Sequence, residues 1–227
     1  MEGRNLFGPY LGLWVFGTAF GLAEAAVVVY LRDILNIDGE ALFPLLQSLT
    51  MSQEWTFKIE SYREAATLVL MLTPAYLFSN RMFERFLAYG IIFGLWDLAY
   101  YGFLWLFLGW PTSLLTYDVL FMIPTVWVAP VVCPIAIALS LAVFGTIYFL
   151  IGRRRLPRNP TMTQVILAIA GGGLVVWSFM NNADYYLAGG MPPNFTWLLF
   201  GSGFFIATVS GGYFLGQFIQ QPRTRFF

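Results

Sequence analysis

The sequence predicts an all-α, polytopic membrane bundle of about six transmembrane helices. Interfacial or re-entrant segments lie on its outer side, and residues 1–227 form a single integral membrane domain. Two observations predict it. Hydrophobic residues make up 59% of the chain and charged residues only 11%, against about 25% charged in a soluble domain, so there is too little polar surface to coat a water-soluble globule. Long apolar stretches also recur, each sufficient to cross a hydrocarbon layer about 30 Å thick.

The spans are expected at about 10–31, 60–79, 86–108, 131–151, 163–186 and 197–219. The first, "YLGLWVFGTAFGLAEAAVVVYL", is longer than the apolar core of a signal peptide. Only Arg4 precedes it and no small-residue cleavage pattern follows, so it is expected to stay as a span. Residues 33–59 contain "ALFPLLQSLTMSQEWTF", too apolar for a loop in water and too interrupted for a crossing. They are expected to form an interfacial helix anchored by Phe43, Trp55 and Phe57. The second span opens with the charged "ESYREAATLVLML", and the third is apolar around Asp97.

Residues 109–134 form a second unusual outer connection: from Trp110 to Ile151 there are too many residues for one crossing and too few for two with a turn, and Pro124, Pro130 and Pro134 interrupt helical hydrogen bonding. A short interfacial or re-entrant segment at 112–122 followed by a proline-kinked fourth span is expected. Non-helical backbone at such depth survives only inside protein or beside a wet cavity. The fifth span carries "GGG" at 171–173 and the sixth Gly212 and Gly216, read as small-residue packing seams or points of flexibility. Trp96, Trp105, Trp110, Trp127, Trp177 and Trp197 suit an aromatic belt at the outer interface. No internal repeat is visible, which weakens an inverted-repeat transporter.

Basic residues set the expected orientation. Arg4, Arg81, Arg85, Arg153, Arg154, Arg155, Arg158, Arg223 and Arg225 fall on one side, and Arg32, Lys58 and Arg63 on the other. The excess of positive charge places the first set, and both termini, in the cytoplasm of a plasma or inner membrane.

Absent residue types narrow the function classes. A formal net charge of zero gives no basic face for nucleic acid. The chain has no histidine and a single cysteine, Cys133. Histidine-ligated haem, zinc or copper, the usual chlorophyll ligand and a thiolate metal cage are therefore disfavoured. Lys58 is the only lysine and lies outside the apolar runs, which disfavours a retinal Schiff base. No cofactor is predicted, although the aromatic content is compatible with a quinone, a lipid or a carotenoid.

The acids are distributed unevenly. Glu24 interrupts the first span at about 10 Å below its outer end by helical rise. Asp97 is near the middle of the third; Glu60, Arg63 and Glu64 open the second; Asp118 falls in the outer proline-rich segment; Asn181, Asn182 and Asp184 close the fifth. Because a carboxylate in hydrocarbon is costly, such groups face the bundle interior, pair, or stay protonated. An acidic vestibule on the outer side follows, with Arg63 and Arg32 as counter-charges and Glu24, Glu60, Arg63, Glu64, Asp97, Tyr101, Asp118 and Asn181 as candidate ligand- or ion-binding residues. If a metal is held, Glu24, Glu60, Glu64 and Asp97 are its candidate ligands. Each has a plainer reading. Gly17 and Gly21 share a face with Glu24, which would then hydrogen-bond across a helix seam. Tyr100 or Tyr101 would cap Asp97, Arg63 would pair with Glu60 or Glu64, Asp118 and Asp184 would be solvated or capping, and Arg32 would anchor a helix end.

Three functions remain open. The leading one is a small-ligand-binding or accessory subunit of a larger membrane complex, with membrane lipids and other membrane subunits or a second copy as partners. Six spans with a longer outer connection between the first two are similar, in architecture alone, to the substrate-capture subunits of energy-coupling-factor importers; no ligand motif carries over. The second is a proton- or cation-coupled transporter or channel using Glu24 and Asp97. The third is an outer-leaflet enzyme using carboxylates or a divalent metal.

Overall fold

The computed structural model describes residues 7–34, 51–152, 159–188 and 194–220. Helices α1 (Phe7–Ile34), α2 (Met51–Phe78) and α3 (Met82–Leu108) are followed by strands β1 (Tyr117–Phe121) and β2 (Trp127–Pro130). Helices α4 (Val132–Gly152), α5 (Met162–Met180), α6 (Ala183–Leu187) and α7 (Trp197–Ile219) complete the chain order. The protein is an all-α membrane-spanning bundle. Among the described residues, five segments are long and apolar enough to cross a membrane: α1, α3, α4, α5 continued through α6, and α7. The expected second span is helical too, but its first half carries Lys58, Glu60, Arg63 and Glu64, so it is less apolar than the others. Bulky apolar side chains such as Val69, Leu70, Leu106, Ile169, Leu198 and Phe205 point outward, as expected where the solvent is lipid.

Helix α3 is the hub, packed against α1, α2 and α4, whereas α5 pairs mainly with α7. Close approach explains why. A Cβ on Gly21 would stand 2.4 Å from the Trp96 carbonyl oxygen, so α1 and α3 meet backbone to backbone there. The α5–α7 contact uses Gly171 and Gly203, each with its backbone oxygen 2.6 Å from where the other's Cβ would be. The expected Gly212/Gly216 seam is corrected: both glycines, like Gly172 and Gly173, face open space. At the start of α5, Thr161 and Gln164 form a capping box. Helix α3 stops at Gly109, whose φ of 65° is the left-handed conformation glycine adopts freely, and whose N–H donates to the Trp105 carbonyl.

Two expected elements differ. The segment at 112–122 leads into strand rather than helix: Tyr117–Phe121 and Trp127–Pro130 form an antiparallel hairpin. It pairs Asp118 with Ala129 and Val119 with Val128, and a register shift between Val119 and Phe121 marks a bulge. Pro124 lies in its turn and Pro130 at its end. Pro134 sits in the first turn of α4, where the missing N–H has no helical partner anyway, so these prolines do not kink the fourth span. The interfacial helix at 33–59 falls partly outside the described residues; 51–59 form the opening turns of α2 instead.

The hairpin lies across the end of the bundle where α1, α3 and α5 finish and α2 and α4 begin. Val126 and Val128 pack on Tyr186 of α6, while Ala129 joins Cys133, Val175 and Phe179, the alternation of a strand buried on both faces. Towards the opposite end the interior is an apolar stack that includes Leu13, Met71, Ala75, Leu87, Ala88, Ile91, Ile92, Tyr148, Phe149, Phe214 and Phe218.

Candidate functional site

Beneath the hairpin lies a cavity of about 280 Å³. Its lining follows from helical periodicity. Helix α3 contributes Phe93, Trp96, Asp97, Tyr100 and Tyr101, spaced i, i+3, i+4, i+7 and i+8 on one face. Helix α2 contributes Glu60, Arg63, Glu64 and Thr67, and α5 contributes Gly172, Val175, Val176 and Phe179, with the same spacing. From α1 come Glu24, Val28 and Arg32, from α4 Pro134 and Ile137, and from the connection Trp110, residues 118–122 and Trp127. Of the candidate residues, Glu24, Glu60, Arg63, Glu64, Asp97, Tyr101 and Asp118 meet around this one space. Asn181 does not. It caps the end of α5 and exchanges hydrogen bonds with the Thr196 hydroxyl, tying α5 to the start of α7.

The charges are organised around Arg63. Its guanidinium forms ion pairs with Glu24 of α1 and with Glu60 one turn earlier on α2, the latter including an Nε–Oε2 bond of 2.8 Å. Of the two partners expected for Arg63 on α2, Glu60 is the one it takes, while the Glu64 carboxylate accepts the backbone N–H of Met122 at 2.8 Å and so pins the hairpin to α2. Tyr101 does not cap Asp97 either: its hydroxyl donates to Asp118 Oδ2 at 2.8 Å. Asp118 also accepts the Val119 N–H at 2.9 Å. Burial pushes the Asp118 carboxyl up to about 7, against the opposing pull of the Tyr101 hydroxyl, the Val119 N–H and the Arg32 guanidinium. Arg32 lies over the Trp110 ring, 5.4 Å from its centroid. It is thus brought into the cavity wall rather than held at the helix boundary, because a helical side chain leans back towards the N-terminus. Asp184 is exposed in the first turn of α6, away from this space.

Four polar atoms in the wall are buried without a hydrogen-bond partner in the described structure: Asp97 Oδ2 and the indole Nε1 of Trp96, Trp110 and Trp127. Leaving such groups unpaired costs about 1–3 kcal/mol each, so their concentration on one cavity is informative. It also corrects the aromatic belt. Trp105, Trp177 and Trp197 are exposed, but Trp96 and Trp110 are buried and, with Trp127, turn inward. Sequence reasoning missed these three indoles and Tyr100 as cavity residues, whereas Arg32 lines the cavity as one of the two expected counter-charges. The signal for two of them was available, since Trp96 and Tyr100 share the helical face of Asp97.

Among the described residues no three acidic or cysteine side chains come together in a group able to hold a metal ion. The four carboxylates considered as metal ligands are separated in function: two are paired with Arg63 and one is bonded to Met122. Comparison of the chain with protein-family models, with curated proteins and with solved structures finds no match in any of the three.

Proposed function

We propose that this membrane protein captures a small ligand in the hairpin-capped cavity. The observation that carries the reading is the convergence of unpartnered, buried Asp97, Trp96, Trp110 and Trp127 atoms on one space of about 280 Å³. That volume is close to the lower end of small-molecule pockets, about 300–1,000 Å³, which combine apolar walls with a few placed polar groups. The apolar stack beneath the cavity favours capture over conduction, because Met71, Ala88, Ile91 and Ile92 are fully buried there and offer a permeating ion no polar partner. Arg81 and Arg85 lie at the end opposite the hairpin, so the positive-inside tendency supports a cavity opening to the outside of a plasma or inner membrane, with cytoplasmic termini. An accessory, ligand-delivering role in a larger membrane assembly follows from this reading, and native mass spectrometry after mild solubilisation tests it through the chains that co-purify.

Gly172 provides the test of capture. It lines the cavity, and a Cβ there meets nothing within 4 Å, so Gly172→Phe adds bulk to the wall without removing any charged group. Purified wild type and variant are screened for thermal stabilisation by a small-molecule library. Compounds that stabilise the wild type and fail to stabilise Gly172→Phe are expected. A library in which no compound stabilises the wild type selectively would overturn the proposal.

A further inference from the structure

The chemistry of the cavity wall restricts what it can hold. Five carboxylates, Glu24, Glu60, Glu64, Asp97 and Asp118, face two guanidinium groups, Arg32 and Arg63. With all ionised, the wall carries an excess of negative charge. Arg63 is already shared between Glu24 and Glu60, and Arg32 stacks on Trp110. Glu64 is held by the Met122 N–H and Asp118 by the Tyr101 hydroxyl. Asp97 remains: the residue is 7% exposed and its Oδ2 has no partner among the described residues. A buried carboxylate without a counter-charge is driven to take a proton or to find a cation.

The surroundings of Asp97 distinguish between kinds of cation. A compact divalent ion needs about six oxygen ligands, and no group of three acids gathers here among the described residues. An organic ammonium ion needs less: one carboxylate and the faces of aromatic rings, which attract its diffuse charge. Rings are plentiful. Trp96 and Tyr100 flank Asp97 on α3 and stack with each other, centroids 6.3 Å apart, while Phe121 and Trp127 of the hairpin meet at 5.5 Å and line the same space. The three unpartnered indole N–H groups are donors only, so they call for an acceptor on the same ligand.

We propose that the cavity takes a small organic ammonium ion bearing an oxygen acceptor, its nitrogen against Asp97 among the rings and its oxygen served by indole N–H groups. The inference rests on the reading of the cavity as a ligand pocket and adds the ligand's charge. Its shared chemistry, an ammonium with a nearby oxygen, occurs both in soluble amines and in the headgroups of zwitterionic lipids.

Binding is measured on the full chain in detergent by indole fluorescence and by thermal shift. The probes are choline and tyramine, each beside its uncharged isostere, 3,3-dimethyl-1-butanol and 4-propylphenol. Each cation is expected to bind at least about tenfold more tightly than its isostere. Asp97→Asn is expected to abolish that preference while leaving isostere affinity unchanged. In the lipid arm, protein in nanodiscs of phosphatidylethanolamine with phosphatidylglycerol is analysed by native mass spectrometry. Retained phosphatidylethanolamine that is lost in Asp97→Asn assigns the headgroup as the source, and cation binding in detergent without such retention assigns a soluble amine. Isosteres that bind as well as the cations overturn the charge assignment and leave the pocket reading standing. Failure of cations, isosteres and lipid alike, with Gly172→Phe indistinguishable from wild type across the library, overturns both. The wild-type comparison of cation with isostere decides the matter even if Asp97→Asn does not fold.

Discussion

Arg63→Met deletes the guanidinium that joins α1 to α2 and leaves two buried carboxylates, Glu24 and Glu60, without their ion-pair partner. Glu24 and Glu60 are each 8% exposed, and a quarter of the Arg63 side chain reaches solvent. Removing one partner of a buried ion pair costs about 3–5 kcal/mol, because the remaining charge is stranded in low dielectric. The partial exposure of Arg63 argues for the lower figure, about 3 kcal/mol. For a chain of this size, each kcal/mol lowers the melting temperature by about 2–4 °C, giving a fall of about 6–12 °C. Thermal unfolding followed by indole fluorescence at pH 7 in one detergent measures it. Adding Glu24→Gln and Glu60→Gln to Arg63→Met removes the stranded charges as well, and most of the loss is expected to return, a non-additivity that identifies the network as electrostatic. An Arg63→Met protein that melts within about 2 °C of wild type would rule out an electrostatic link between α1 and α2, as would a triple variant no more stable than the single one.

Gly21→Ala places a methyl group 2.4 Å from the Trp96 carbonyl and 2.7 Å from Ala99 Cβ; overpacking of about 1–3 kcal/mol is expected, read as a lower melting temperature, whereas Gly212→Ala, in open space, leaves it unchanged. Asp118 gives a pH signature: its carboxyl is raised from 3.8 to about 7 in the fold, so the folded state binds the extra proton between those values. Its contribution to stability is therefore full below pH 3.8 and is lost as pH rises through about 7, and Asp118→Asn flattens that part of the melting profile relative to wild type. Glu64→Ala strips the acceptor from the Met122 N–H; faster amide hydrogen exchange at Met122 and neighbouring hairpin residues is expected, with Glu64→Gln, which keeps an acceptor, close to wild type.

Legibility in the sequence follows the range of the forces involved. Spans were readable because hydrocarbon imposes its requirement residue by residue, and the Gly17–Gly21–Glu24 face announced a close contact before its partner was known. The hairpin was not. In a chain this apolar, "YDVLF" and "WVAP" merge with their surroundings, and prolines that look like helix breakers turn out to punctuate strands. Short aromatic and β-branched runs bounded by proline were the usable signal. At the cavity, the acids were visible because charge in a span is expensive, but their partners were not. Arg63 reaches Glu24 across 39 positions and Met122 reaches Glu64 across 58, distances over which periodicity carries no information. The inward tryptophans were hidden for a different reason, since an indole suits a lipid interface and a pocket wall equally well.

The stack of Leu13, Met71, Ile91, Ile92 and Phe218 gives the cavity an apolar floor. Under the proposed orientation, a guest entering from the hairpin side meets that floor, and its occupancy would then track its concentration on that side of the bilayer alone. For anything to travel onward, that greasy floor would have to part.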